Sequence, residues 1–302
     1  MNKSCMNNKN KNDDDKKKGQ DKGLKRNVID KYYTKPEITI LCYDEIKKYL
    51  EIDFDNDLII EPSAGDGSFM SIIEKLCKNV KYYDIDPPKE CNTIIKQDFL
   101  KINVSDKGNS LDNGNNFNKY NKIHIIGNPP FGRQSSTAIK FIRKSTEFCN
   151  SISFILPKSF KKDSLKDKIP LNFHCVYEGD VPDNSFLINK IEHNVPCIFQ
   201  IWEKSDNLRE KSIKMEPKGY IFVKKDGIPN FSFRRVGVYA GKIDKDIDKS
   251  SQSHYFIKFN DNYDIDEIYE KIKLLEFSGK MDTVGPKSIS KQELIKELNK
   301  IT

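Results

Sequence analysis

Residues 57–69 read DLIIEPSAGDGSF, and their reading decides the fold. Leu58–Ile60 is a short apolar run closed by Pro62, which cannot donate to a ladder, so it is a strand that stops there. Gly65 and Gly67 follow two residues apart, where the backbone can bend sharply and a ligand can approach without meeting a side chain. Behind them Phe69–Cys77 carries helical spacing. Strand, glycine turn and helix in that order open a βα unit whose helix start offers free N–H groups to a ligand. The stretch is not GxxxxGK[ST], so no lysine grips a phosphate and there is no case for an NTPase.

The pattern continues outward. Upstream, TKPEITILCYDEIKKYL (34–50) has apolar residues at helical spacing, with Pro36 suited to a first turn. Downstream, VKYYDIDPP (80–88), NTIIKQDFL (92–100), KIHIIGNPPF (122–131), SISFILP (151–157) and NVPCIFQIWEK (194–204) read as strands, with a helix over about 136–148. Strands alternating with helices predict an α/β chain: a Rossmann-like, mainly parallel sheet with helices on both faces. After about Glu203 the pattern changes to GYIFVKK, FSFRRVGVY and HYFIKF, then helices over 264–277 and 290–299. The expected organisation is a tail at 1–27 without order, a main domain at 28–205 with a flexible insertion at 103–121, and a small C-terminal α+β appendage at 206–302.

Composition narrows the class. Of the formal net charge of +7, residues 1–31 supply +5 (ten Lys/Arg against five Asp), leaving 42 basic and 40 acidic residues in the rest. Any polyanion-binding surface must therefore be a local patch. The seven cysteines contain no CxxC pair and the four histidines are dispersed, so neither a disulfide framework nor a metal site is expected. No apolar run is long enough for a membrane span, and the charged N-terminus does not resemble a secretory signal. A cytoplasmic protein is expected, or a nuclear one in a eukaryote.

Two acids end the next strands. Asp84, beside Ile85 and Asp86, is placed to accept both hydroxyls of a ribose. Asp98 can accept from an adenine amino group while Phe99 or Ile85 covers the base face. With the glycine turn, these describe an adenosine-shaped pocket along the C-terminal edge of a parallel sheet. Asn128-Pro129-Pro130-Phe131 then ends the fourth strand. The Asn128 side-chain carbonyl and the Pro129 carbonyl can accept from one NH₂ group, Phe131 offers a ring face, and the prolines hold the backbone rigid.

The ordered set EPSAGDGSF, DIDP, DFL and NPPFG, over about residues 30–205, resembles the S-adenosylmethionine-dependent adenine N6 amino-methyltransferases of DNA and RNA. Tyr33-Thr34-Lys35-Pro36-Glu37 is similar to the segment that precedes the glycine turn in bacterial modification enzymes, with Lys35 standing where a proline is commoner. The resemblance implies a class I methyltransferase fold and S-adenosylmethionine as cofactor. Thr34 and Ser63 would lie near its methionine part, Glu61, Ala64, Gly65 and Gly67 would line its pocket, Asp84 would hold the ribose, and Ile85, Asp98 and Phe99 would meet the adenine. Asn128, Pro129, Pro130 and Phe131 would form the catalytic site. The substrate would be adenine in a nucleic acid, DNA ahead of RNA, with room for an accessory protein subunit.

A base in a duplex must be flipped out to react, and a second apolar residue should cover its other face. Phe160 and Phe186 are candidates, as is ordinary core packing for each. Arg234 and Arg235 mix with Phe231 and Phe233 as a nucleic-acid contact would. Two other readings use the same motifs: a protein glutamine N5-methyltransferase, which commonly carries NPPY, and a catalytically silent binding protein of the same fold.

Overall fold

The structure is a computed structural model that describes residues 32–103, 117–188 and 190–302. The expected tail at 1–27 and most of the insertion lie outside the described residues. In chain order the main elements are β1 (Tyr33–Thr34), α1 (Pro36–Tyr49), β2 (Leu58–Glu61), α2 (Met70–Leu76), β3 (Val80–Asp84), β4 (Ile94–Lys96) and β5 (Ile123–Gly127). They continue with α3 (Ser136–Thr146), β6 (Ser151–Pro157), α4 (Asp163–Lys166), β7 (Phe173–Asp180), β8 (Phe186–Ile188), β9 (Ile191–His193) and β10 (Cys197–Lys204). Four strands and two helices follow: β11 (Tyr220–Val223), β12 (Phe231–Arg234), β13 (Ile243–Asp244), β14 (His254–Phe259), α5 (Ile265–Lys273) and α6 (Lys291–Leu298).

A seven-stranded sheet in the order β4-β3-β2-β5-β6-β10-β7 forms the main body. Strands β4, β3, β2, β5 and β6 pair in parallel, and β10 pairs antiparallel with both β6 and β7. This is the Rossmann-like, mainly parallel sheet with helices on both faces expected for the chain. Period-2 alternation divides the strand residues between two cores. Ile59, Tyr82, Ile126, Ile155 and Phe199 pack with Ile38, Cys42, Ile46, Ile72 and Ile73 of α1 and α2. Leu58, Ile60, Ile125, Ile152, Phe154 and Trp202 pack with Ala138, Phe141 and Ile142 of α3 on the other face.

Several elements were not expected from the sequence. β7 has no continuous apolar run, because only Phe173 of its eight residues is buried at this sheet edge. β1, β8 and β9 form a separate three-stranded sheet in which Thr34 pairs with Phe186. Strands of two and three residues carry no periodicity to read. The stretch FSFRRVGVY also divides: β12 ends at Arg234 and the rest is a turn. In the C-terminal part, β11-β14-β12-β13 packs with α5 and α6 around Tyr220, Phe231, Phe233, Ile257, Ile272 and Leu294.

The end of the sheet opposite the strand C-termini holds a buried polar network. The Asp57 carboxylate accepts from Asp53 N (2.8 Å), Lys122 N (2.9 Å) and His124 Nε2 (3.2 Å). His124 Nδ1 lies 2.7 Å from Ser151 Oγ. Burial lowers the His124 pKa, which favours a neutral ring: Nε2–H donates to Asp57 and Nδ1 accepts the Ser151 hydroxyl. One carboxylate thereby ties β2, β5 and β6 together. Asp57→Ala leaves two backbone donors and an imidazole N–H unsatisfied. Chemical denaturation should show a loss of about 3 kcal/mol; a loss within error of zero would assign the network no structural weight.

Candidate active site

Strand order reverses between β2 and β5: from β2 the sheet runs to β3 and β4 on one side and to β5 and β6 on the other. Ligands of such sheets bind where the order reverses, outside the strand C-termini. A cavity of about 600 Å³ lies there, lined by Tyr32, Tyr33, Ser63, Gly65, Asp84, Ile85, Asp86, Gln97, Asp98, Phe99, Asn128, Pro130 and Arg133 among others. Four separate strand ends thus contribute to one wall.

The glycine turn is held by the acid expected at the ribose. Gly65 N donates to Asp84 Oδ2 (2.8 Å), and Asp86 N donates to Asp84 Oδ1 (2.8 Å). Gly65 has φ +56, a conformation that favours glycine, and a Cβ there would come within 3.4 Å of the Tyr33 ring. Asp98 Oδ1 accepts from Leu100 N (3.0 Å), which turns the chain after β4 and sets Phe99 against Phe141, ring centroids 5.7 Å apart. Ile85 is 59% exposed at the cavity, an apolar side chain available to a planar ring. These donors, acceptors and apolar surfaces fit S-adenosylmethionine.

Asn128 is held on both sides. Its Nδ2 donates to Thr34 Oγ1 (3.2 Å) and to the Tyr32 carbonyl (3.4 Å). Its backbone carbonyl accepts from Ser63 Oγ (3.3 Å). Both protons of the amide are thus engaged, which orients the group and keeps the side-chain oxygen as the acceptor still to be used. Beyond Pro129 and Pro130 the chain enters three residues of positive φ: Gly132 (+68), Gln134 (+52) and Ser135 (+61). A Cβ at Gly132 would sit 2.1 Å from Thr137 Oγ1 and 3.0 Å from Thr137 N, so only glycine fits. The two non-glycine residues cost roughly 1 kcal/mol each in that conformation.

Not every expected residue lies on the cavity wall. Ser63, Gly65, Asp84, Ile85, Asp98, Phe99, Asn128 and Pro130 do. Thr34 stands behind Asn128 as its hydrogen-bond partner, and Ala64 is buried, its N–H donating to the Tyr83 carbonyl (2.8 Å). Gly67 provides the next turn with φ +86, and Pro129 joins Asn128 to Pro130. Phe131 is 7% exposed, and the Tyr32 ring lies nearly parallel to it, at 22° with centroids 6.4 Å apart. Phe186 packs edge-on against Tyr32 at 6.2 Å, one ring further back. Phe160 is fully buried in the core beneath β6 and β10. The Arg234 and Arg235 side chains, in the C-terminal part, donate to the carbonyls of Val236 and Gln252. Lys35, the departure from proline, pairs with Glu192 and its N–H donates to the Ser185 carbonyl.

Tyr32, Gln97 and Arg133 escaped the sequence reading. Tyr32 carried a signal, an aromatic residue directly before the Tyr33-Thr34 pair. Among the described residues no group of three or more His, Cys, Asp or Glu side chains could hold a metal ion, and no helix is long and apolar enough to cross a membrane.

Comparison with known proteins adds outline rather than detail. No protein-family model matches the chain. Protein ENHANCED DOWNY MILDEW 2 of Arabidopsis thaliana is 25% identical over 201 residues, a match covering 61% of this chain and only 14% of that protein's length. Among solved structures, an rRNA methylase from Streptococcus thermophilus is 15% identical, covers 55% of this chain and 95% of its own, and has a TM-score of 0.34. A dimethyladenosine transferase from Plasmodium falciparum is 13% identical, with coverage of 58% and 63% and a TM-score of 0.38. A Thermoplasma acidophilum protein is 18% identical, with coverage of 56% and 89% and a TM-score of 0.40.

Glu61, at the end of β2, is 1% exposed and its Oε2 has no hydrogen-bond partner. Burial pushes its carboxyl well above the ordinary carboxylate range, and the charges of Asp66 and Asp84 push the same way. Since the folded-state group ionises at higher pH than the unfolded one, its contribution to stability is full below the ordinary carboxylate pKa and is lost as pH rises through the folded value. Glu61→Gln cannot ionise, so its melting temperature relative to the wild type should climb from pH 5 to pH 9, by at most about 1.4 kcal/mol of stability per pH unit. Melting curves that stay parallel over that range would show the carboxyl to be charged in the fold.

Proposed function

We propose that the chain is an S-adenosylmethionine-dependent methyltransferase acting on the exocyclic N6 amine of adenine in nucleic acid, DNA before RNA. The observation that carries this reading is the anchored Asn128 amide. With its NH₂ group held by Thr34 and the Tyr32 carbonyl, the side-chain oxygen is oriented to accept from a substrate amine. The Pro129 carbonyl is the second acceptor. Together they would hold the amine with its lone pair toward the cavity that Asp84, Asp98 and the glycine turn delimit.

The cofactor, when bound, supplies an electrophilic methyl group. The residues of this chain do the rest by position: Asp84 would receive a ribose, Ile85 and Phe99 a base, and Ser63 steadies Asn128 through its carbonyl. No side chain need act as general base, because a methylated amine sheds its proton readily. Tyr32 extends the site. Covering Phe131, it stands where a target base would stack, so the base must displace the tyrosine ring.

Transfer of labelled methyl from S-adenosylmethionine to genomic DNA, total RNA and protein extract, followed by nucleoside analysis, tests the reading. N6-methyladenine is expected in one nucleic acid, and label confined to protein glutamine would refute the assignment. Asn128→Ala should lower kcat by about 10²-fold or more. Asp84→Asn should weaken cofactor binding by roughly tenfold, whereas Phe131→Ala should bind cofactor normally and lose transfer. The opposite pattern would exchange the two roles.

A further inference from the structure

The C-terminal sheet carries an exposed feature that neither its core nor the cavity uses. After β12 the chain turns through Gly237 and Gly241, both at φ +101, before β13. At the tip of this turn Val238 is 78% and Tyr239 71% exposed. The turn is nevertheless well tied. Gly237 N donates to the Lys287 carbonyl (2.9 Å), Ala240 N to Gly237 (3.0 Å), Gly241 N to Arg234 (2.8 Å) and Lys242 N to Tyr239 (3.1 Å). Beside it runs a second loop with Met281 and Val284 exposed, joined through the Val236·Ser288 bridge and a Ser288 N to Lys280 O bond of 3.1 Å.

Charge and position both favour a polyanion. Residues 234–242 and 280–287 hold Arg234, Arg235, Lys242, Lys280 and Lys287 against Asp282 alone, in a chain otherwise close to balance. Contacts also tie this end of the appendage to the catalytic edge. Lys162 Nζ donates to the Ser288 carbonyl (3.0 Å), and Lys162 closes the short turn that follows β6. In that same turn Ser159 Oγ lies 3.4 Å from Ser135 Oγ, three residues beyond Gly132. The loop that holds the aromatic turn is thus bonded, through Ser288, to the turn after β6 that touches Ser135.

We infer that the 234–242 turn is a docking surface for nucleotides flanking the target adenine, with Tyr239 stacking on an unpaired base and Val238 packing beside it. Lys242, Lys287 and Arg235 neutralise the adjoining phosphates. A tyrosine loses little conformational freedom on binding, and every base offers it a π-face. The inference rests on the proposed activity and adds to it a second contact, outside the catalytic cavity.

The test uses the full chain with fluorescein-labelled, adenine-containing single-stranded oligodeoxynucleotide and oligoribonucleotide as probes. Tyr239→Ala should weaken binding of the preferred probe at least about fivefold, and Tyr239→Phe should restore it. The polymer KM should rise with kcat within about twofold of wild type, and S-adenosylhomocysteine affinity should not change. Replacing Lys242 and Lys287 together by alanine should reduce the slope of log affinity against log salt by about 1.4. If all these variants bind as the wild type does while it methylates adenine, the docking surface is overturned and the proposed activity stands. If oligonucleotide binding depends on Tyr239 but no adenine is methylated, the surface stands and the activity is overturned. Wild-type protein that binds neither probe overturns the surface.

Discussion

The hydrogen bonds from the Asn128 amide to Thr34 and Tyr32 are the constraint on which the site depends. A terminal amide rotates through a broad, roughly two-fold torsional profile, and an unanchored asparagine would offer N–H or oxygen to a ligand about equally. Two acceptors, one on β1 and one on the residue just before it, remove that ambiguity. β1 pairs with β8, and β8 pairs with β9. A three-stranded sheet too small to be stable alone thus helps to align the acceptor. Ser63 adds the third restraint from the glycine turn, so the turn and the Asn128 segment share a hydrogen bond.

The two ends of the central sheet divide stability from function. At the N-terminal end Asp57 accepts three hydrogen bonds and His124 is satisfied at both nitrogens. At the C-terminal end Glu61 keeps an unpartnered oxygen, and Gln134 and Ser135 hold left-handed backbone conformations. Unsatisfied and strained groups persist where surrounding structure over-determines them, and they collect at functional sites. Glu61, Gln134 and Ser135 thus lie at the strand C-termini, beside the candidate site.

Much of this was legible in the chain because buried parallel strands announce themselves. Leu58–Ile60 and Ile152–Leu156 are runs that only a sheet covered on both faces can bury, and the turns that follow them carry the chemistry. The acids at 84 and 98 could be placed because each stands at a strand end. The second ring at the amine site could not. Phe160 and Phe186 satisfy the residue type, yet both are fully buried, and Tyr32 reaches Phe131 through a pairing between residues more than 150 apart. No local pattern encodes such a contact. The same limit explains β7, whose place beside β10 follows from pairing rather than from apolar periodicity.

On the proposed activity, the Tyr32–Phe131 pair also bears on how a base would enter. Phe131 has 7% of its surface exposed, so a planar base cannot rest on it while the tyrosine keeps its place. Moving Tyr32 disturbs Asn128, because the Tyr32 carbonyl accepts one of the two amide protons. Displacing the Tyr32 ring by side-chain rotation, at the cost of its ring contacts, would uncover Phe131 and leave that carbonyl where it is. Rotation of one side chain, on a backbone already fixed by the Thr34–Phe186 pairing, opens the amine site without releasing the acceptor. On the proposed activity, the site would then admit a base and keep the amide geometry that the transfer requires.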